Sequence, residues 1–155
     1  MFPAEKLSGM AAYMKRFASQ FGIDDFQQRE RIPNTRRALA LAEVARDEGK
    51  LEAFRTRAMD AHWRDGMDLE NDVDLAAIAL DSGLAENAVE RSRDPLILAR
   101  VDDARDEASE VGVHGIPTFI IGNLGLSGCQ PYEIFEQFAK QAGAPARVPR
   151  PDPHT

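Results

Sequence analysis

Cysteine occurs once in these 155 residues, at Cys129, which excludes an intramolecular disulfide framework. Basic charge is in deficit: nineteen Lys and Arg stand against twenty-six Asp and Glu, for a net charge of −7. That balance argues against a nucleic-acid or anionic-membrane partner. No apolar run approaches the ~20 residues of a membrane span, and Met1-Phe2-Pro3-Ala4-Glu5-Lys6 has no signal-peptide apolar region behind it. Metal-ligand spacing is missing as well, because Cys129, His62, His114 and His154 do not converge. Gly112-x-x-Gly115 is no phosphate loop, since it precedes a strand rather than opening a helix. No Ser-His-Asp arrangement is singled out. The expectation is a soluble, cytoplasmic protein without metal or cofactor.

The chain is of one-domain length and can bury roughly 70% of its unfolded surface. Leu7, Met10, Ala11, Met14, Phe17, Ala18 and Phe21 recur at helical spacing and predict a helix over about 4–20, closed by Gly22. This Met/Phe stripe reads as core rather than as a peptide groove. A short edge strand is expected at 23–26. Ile32-Pro33 forces extended backbone, after which Asn34 or Thr35 caps a helix with Ala38, Leu41, Ala42 and Ala45 inward. Arg36 and Arg37 fit the positive end of that helix poorly, and read as an exposed basic pair or as contacts for an anionic ligand.

A further helix is predicted over 50–64 with Leu51, Phe54, Ala58 and Ala61 inward; His62 near its end reads as a surface or cap histidine. Helices follow at 73–80 and 84–91, and Asp94-Pro95 opens a longer one to about 111. On that helix Leu98, Val101, Ala104, Ala108 and Val111 share one face. Asp102, Asp103, Asp106, Glu107 and Glu110 read as solvated charge interleaved with Arg100 and Arg105.

β-type sequence dominates in one stretch alone, from Gly112 to Phe138. Pro117 opens the run Thr118, Phe119, Ile120, Ile121, as a proline can at a strand start. Gly122-Asn123 suits a type II′ hairpin turn, and Leu124 to Leu126 return. Ser127-Gly128 breaks the second strand. Gln130-Pro131 then starts a helix with Ile134, Phe135 and Phe138 on its apolar face. The residues from 144 to 155 are proline-rich without an apolar face and are expected to form a flexible tail.

The blocks Gly115-Ile116-Pro117-Thr118-Phe119 and Ser127-Gly128-Cys129-Gln130-Pro131, with Ile32-Pro33-Asn34-Thr35 upstream, resemble the DsbA-like thioredoxin-fold proteins. The similarity runs from about 6 to 143, and points to the branch of FrnE-type disulfide oxidoreductases and 2-hydroxychromene-2-carboxylate isomerases. It implies an α/β thioredoxin-like domain over 1–143 with a helical insertion over about 34–111. It also implies a first strand and a redox C-x-x-C (or, in the isomerases, a nucleophile such as serine) at a helix start. Here the sequence opens directly on helix, so the expected domain lacks that strand and that motif.

The resemblance implies that Ile116–Pro117 is a cis bond in a substrate-facing loop, where an extended peptide or glutathione pairs as an added strand. Asn34 and Thr35 are implied as substrate contacts; read from the residues alone they are a helix N-cap. Cys129 is a lone thiol that can form a mixed disulfide, be glutathionylated or pair with a second chain, but cannot run a dithiol cycle. The family usually has alanine there, which implies a small, half-buried slot and inert packing. The implied activity is thiol–disulfide exchange with a protein thiol or glutathione, the catalytic segment lying outside this chain. A non-catalytic binding module and a glutathione-assisted isomerase-like enzyme are the alternatives. An unpaired edge on strand 118–121 further predicts a homodimer.

Overall fold

The computed structural model describes residues 4–20, 22–25, 27 and 31–145. Phe21, Phe26 and the expected tail beyond 145 lie outside the described residues, as do the side chains of Leu7, Met10 and Ala11. The chain divides into two compact units, Met1–Arg105 and Asp106–Thr155.

The first unit is helical. Its elements are α1 (Ala4–Ser19), α2 (Arg36–Asp47), α3 (Leu51–Trp63), α4 (Asp72–Asp81), the single turn α5 (Ala88–Arg91), and the part of α6 (Pro95–Glu110) that precedes the division. Leu41 and Val44 of α2, Phe54 of α3, and Leu75 and Ile78 of α4 are all essentially buried. Each such side chain contributes roughly 1.5–3 kcal/mol when removed from water. Small residues at Ala40, Ala45 and Ala61, each fully buried, suit close approach between the helices.

Local signals explain several boundaries. Asn71 caps α4 by accepting from the backbone N–H groups of Val73 (2.8 Å) and Asp74 (3.3 Å). At the start of α6, Asp94 accepts from the Leu96 N–H at 2.8 Å. The segment 84–87 stays non-helical, so the expected helix over 84–91 shrinks to the turn Ala88–Arg91.

Residues 23–25 form no strand; the Ile23 N–H instead donates back to the Ala18 carbonyl at 3.1 Å, continuing the end of α1. His62 is buried rather than at the surface, with its ring 4.6 Å from that of Trp63 in an edge contact. Positions 54, 58 and 62 are spaced by four, so His62 extends the inward stripe of Phe54 and Ala58. Conversely, α6 has no buried residue. Leu98 and Val101 are half-buried, and Ala104 and Val111 are exposed, so its expected apolar stripe is not a core face here.

Ion pairs tie the first unit's helices at their polar rims. Arg100 of α6 reaches Glu43 (2.5 Å) and Asp47 (2.8 Å) on α2, and Arg36 at the start of α2 reaches Asp102 on α6 (2.6 Å). Arg91 joins Glu48 at 2.6 Å. The acidic side of α6 is therefore partly committed to ion pairs.

Besides the end of α6, the second unit contains a hairpin and a helix: β1 (Thr118–Ile121), β2 (Leu124–Ser127) and α7 (Tyr132–Gln141). Gly122 has φ +62, as a type II′ turn requires at its first central residue, and Asn123 does not. Register pairs Thr118 with Ser127, Phe119 with Leu126, Ile120 with Gly125 and Ile121 with Leu124. Ser127 thus belongs to β2 instead of breaking it; Gly128, at φ +82, makes the break. Phe119 meets Phe135 of α7 edge-on, ring centroids 4.7 Å apart, so the helix covers the face bearing Phe119 and Leu126. Among the described residues of this unit Phe138 alone is buried. No helix among the described residues is long and apolar enough to cross a membrane.

Candidate functional site

The proline loop leads directly into β1. The Ile116–Pro117 peptide bond is cis. Ile116 is 92% exposed, and neither its N–H nor its carbonyl is hydrogen-bonded among the described residues. The Thr118 hydroxyl donates to the Gly115 carbonyl at 2.6 Å and lies 3.5 Å from the Ser127 hydroxyl, which pins the loop to the hairpin's end.

One backbone bond fixes which way the strand faces. The Gly128 N–H donates to the Pro117 carbonyl at 2.8 Å, continuing the register by one pair beyond Thr118 and Ser127. In an antiparallel ladder hydrogen-bonded and non-hydrogen-bonded pairs alternate. Pro117, Phe119 and Ile121 therefore turn their backbone groups toward β2, and Ile116, Thr118 and Ile120 turn theirs outward. Among the described residues β1 pairs with β2 alone, so that outward row is a free edge. Three apolar side chains, Phe119, Ile120 and Ile121, remain partly open to solvent along it.

Cys129 follows Gly128 directly, so the same Pro117–Gly128 bond brings the thiol's segment beside the loop. The thiol is exposed. The half-buried slot implied by alanine at this position in similar proteins is thus not what surrounds it. Gln130 closes the segment by donating from its side-chain amide to the Ser127 carbonyl at 2.9 Å. Pro131 is the N-cap of α7 and makes no side-chain cap bond.

Asn34 and Thr35 belong to the first unit. The Asn34 side-chain carbonyl accepts from the Arg36 N–H at 3.0 Å, and its own N–H donates to Glu70 at 3.2 Å. Thr35 is the N-cap of α2 without a side-chain cap bond; its carbonyl accepts from Leu39 at 2.9 Å. Both side chains are exposed, with Asn34 doing the local turn-making that a residue before a helix does. The Asn34 N–H, and after it the Arg31 guanidinium, hold the Glu70 carboxyl below the usual carboxylate range.

The basic pair beside them is not a vacant anion cradle. Arg36 is engaged by Asp102, which it holds below the usual range for an aspartate, and Arg37 is engaged by Asp72. Each guanidinium already faces a carboxylate, so an anionic ligand would have to displace one.

A concave feature lies in the first unit, and it corrects the reading of the Met/Phe stripe as core: Met14 of that stripe is exposed and lines it with Ala18, while the α3 side of the cleft was not legible as a site. Met14 and Ala18 of α1, Ile23 of the following loop, and Met59 and Trp63 of α3 line a cleft of about 290 Å³. Met59 and Trp63 are four apart, which puts them on one outward face of α3. No group of three or more His, Cys, Asp or Glu among the described residues could hold a metal ion.

Among known families, the model of the DSBA-like thioredoxin domain matches residues 3–140. No curated protein matches the chain.

Proposed function

The chain belongs to the DSBA-like thioredoxin domain family, and from that premise we propose that its loop 112–118 and β1 edge receive an extended, thiol-bearing substrate for disulfide exchange. The family supports thiol–disulfide oxidoreductase chemistry in general. The observation that carries the assignment to this edge is the outward row of backbone groups at Ile116, Thr118 and Ile120. A peptide or glutathione laid antiparallel along it would gain main-chain hydrogen bonds, with the open side chains of β1 beneath. The branch is that of the FrnE-type enzymes and the chromene-carboxylate isomerases, on the wording of the GIPTF and SGCQP blocks.

A dithiol cycle needs two cysteines, and these residues supply Cys129 alone. In the oxidoreductase reading the redox pair is contributed from outside residues 1–155, and the present residues hold the substrate. The single cysteine also favours a second reading, a module that binds extended peptides or thiols without redox turnover. Counting labelled thiols against the intact mass of the native protein separates the two. More than one thiol favours the enzyme, and a single thiol favours the module.

The shared claim is tested by titrating an extended cysteine-containing peptide into the protein and following backbone amide resonances. Shifts should concentrate at Ile116, Thr118 and Ile120 and leave α2 untouched. Ile120→Pro deletes an outward N–H without deleting a ladder bond, and should weaken binding by about tenfold for the lost hydrogen bond and the blocked approach. Binding that maps elsewhere, or that tolerates Ile120→Pro, would sink the assignment.

A further inference from the structure

The cleft on the first unit is built differently from the free strand edge, and we infer that it is a separate binding site for a polypeptide side chain of mixed character: an aromatic or branched apolar residue flanked by a basic one. Its floor is Met14, Ala18, Ile23, Met59 and the Trp63 indole. Met14, Ile23 and Met59 remain a third to a half open to solvent although they line one concavity, Met59 being 53% exposed. Apolar surface left open in a concave place marks an interaction site more often than a scattered exposed leucine does. Two thioethers suit such a site, because methionine repacks around different shapes. A volume of about 290 Å³ lies at the lower limit of ligand pockets, which sets the occupant at one side chain rather than a cofactor.

Charge at the rim selects the flanking residue. Asp25, Asp60 and Arg64 complete the lining. The Arg64 guanidinium lies 2.7 Å from Asp25 and 2.7 Å from Asp60, so one cation serves two carboxylates. One negative charge is left over at the mouth. All three side chains are substantially exposed, and a lysine or arginine next to the buried group could pair with either carboxylate without a burial penalty. The loop carrying Asp25 and Ile23 is held in place by the Gln27 N–H donating to the Trp63 carbonyl at 2.7 Å, and by the Ser19 hydroxyl donating to Asp24 at 2.7 Å.

Trp63 is the chain's single tryptophan, so its emission reports the cleft directly. The full chain is titrated with acetyl-Lys-Phe-Lys-amide and, in parallel, with acetyl-Glu-Phe-Glu-amide and acetyl-Lys-Gly-Lys-amide. A saturable change in Trp63 emission is expected with the first peptide alone. Met59→Lys, at an exposed position where folding is retained, should weaken that binding by about tenfold or more by replacing apolar floor with a cation. Asp25→Asn should weaken it by about two- to fivefold, the range of an exposed ion pair. Equal responses to all three peptides, no response, or an unchanged response in Met59→Lys would overturn the inference. So would an emission change that tracks protein concentration without peptide, since that would put a second copy in the cleft.

Discussion

The two units of this molecule solve the problem of burial in opposite ways. In residues 1–105 the helices α2 to α5 enclose Leu41, Val44, Phe54, Leu75 and Ile78 from all sides. In residues 106–155 a two-stranded hairpin and α7 leave Phe119, Ile120, Ile121 and Ile134 partly in solvent, and Phe138 alone is buried among the described residues. A two-stranded sheet with one covered face is marginal by itself. The core enclosed by α2 to α5 spends its apolar residues on stability, whereas the hairpin leaves Phe119, Ile120 and Ile121 open along the strand edge that the proposed substrate site uses.

Truncating one aromatic ring in each unit tests the contrast most strongly. Phe54→Ala should cost about 3–5 kcal/mol, because the ring is 2% exposed and its site cannot collapse fully. Phe119→Ala, at 41% exposed, should cost no more than about 1.5 kcal/mol, chiefly the edge-on contact with Phe135. Urea unfolding of both variants by circular dichroism measures the pair. Equal losses would mean that the face of β1 is covered in solution, as the homodimer expected from its unpaired edge would require.

Much of this contrast was legible in the residues. The spacing of Phe54, Ala58 and Ala61 gave the inward face of α3, and the β-type run Thr118 to Ile121 followed by Gly122-Asn123 gave the hairpin and its turn. The DSBA-like fold followed from two short blocks that the family match over 3–140 supports. What the sequence hid depends on distant partners. Arg36 and Arg37 look free until Asp102 and Asp72 arrive from 66 and 35 residues away. His62 reads as a cap until its four-residue spacing from Ala58 is set against the packed core. The cleft joins α1 to the end of α3, and its Met59 and Trp63 look like ordinary outward residues on a helix. The outward row at Ile116, Thr118 and Ile120 was one step from legible, since the parity needs only the single Pro117–Gly128 bond.

Amide exchange sharpens the comparison residue by residue. The amides of Phe119 and Ile121 point at β2 and those of Thr118 and Ile120 do not, so exchange along β1 should alternate, by about tenfold or more between neighbours. Amides of Leu41 and Val44 in the closed unit should exchange only on its global opening. Uniform protection through 118–121 would show that a strand already occupies the edge.

Acid separates the units by charge instead of by apolar burial, with a smaller effect. The first unit's rims rest on carboxylates held below their usual range. Arg100 does this to Asp47 and Arg36 to Asp102. Burial pushes the Glu48 carboxyl up, but the Ala85 N–H and Arg91 outweigh it and leave it lowered. A lowered folded value means that the unfolded chain takes up the proton first. The contribution is therefore complete above the unfolded values of about 3.9 and 4.3, and is lost as pH falls through them toward the lower folded ones. In the second unit the pair Lys140–Glu136 links two residues of α7 to each other and joins no separate elements. Helix melting followed by circular dichroism should hold steady between pH 7 and about 5 and then move to lower temperature on further acidification. High salt at neutral pH should reproduce part of that shift by screening the exposed pairs. The hairpin's amide exchange pattern should change less over the same range. A melting temperature that stays flat through the acid range would show that the rim pairs of the helical unit add nothing to its stability, leaving the apolar core as the whole difference between the two units.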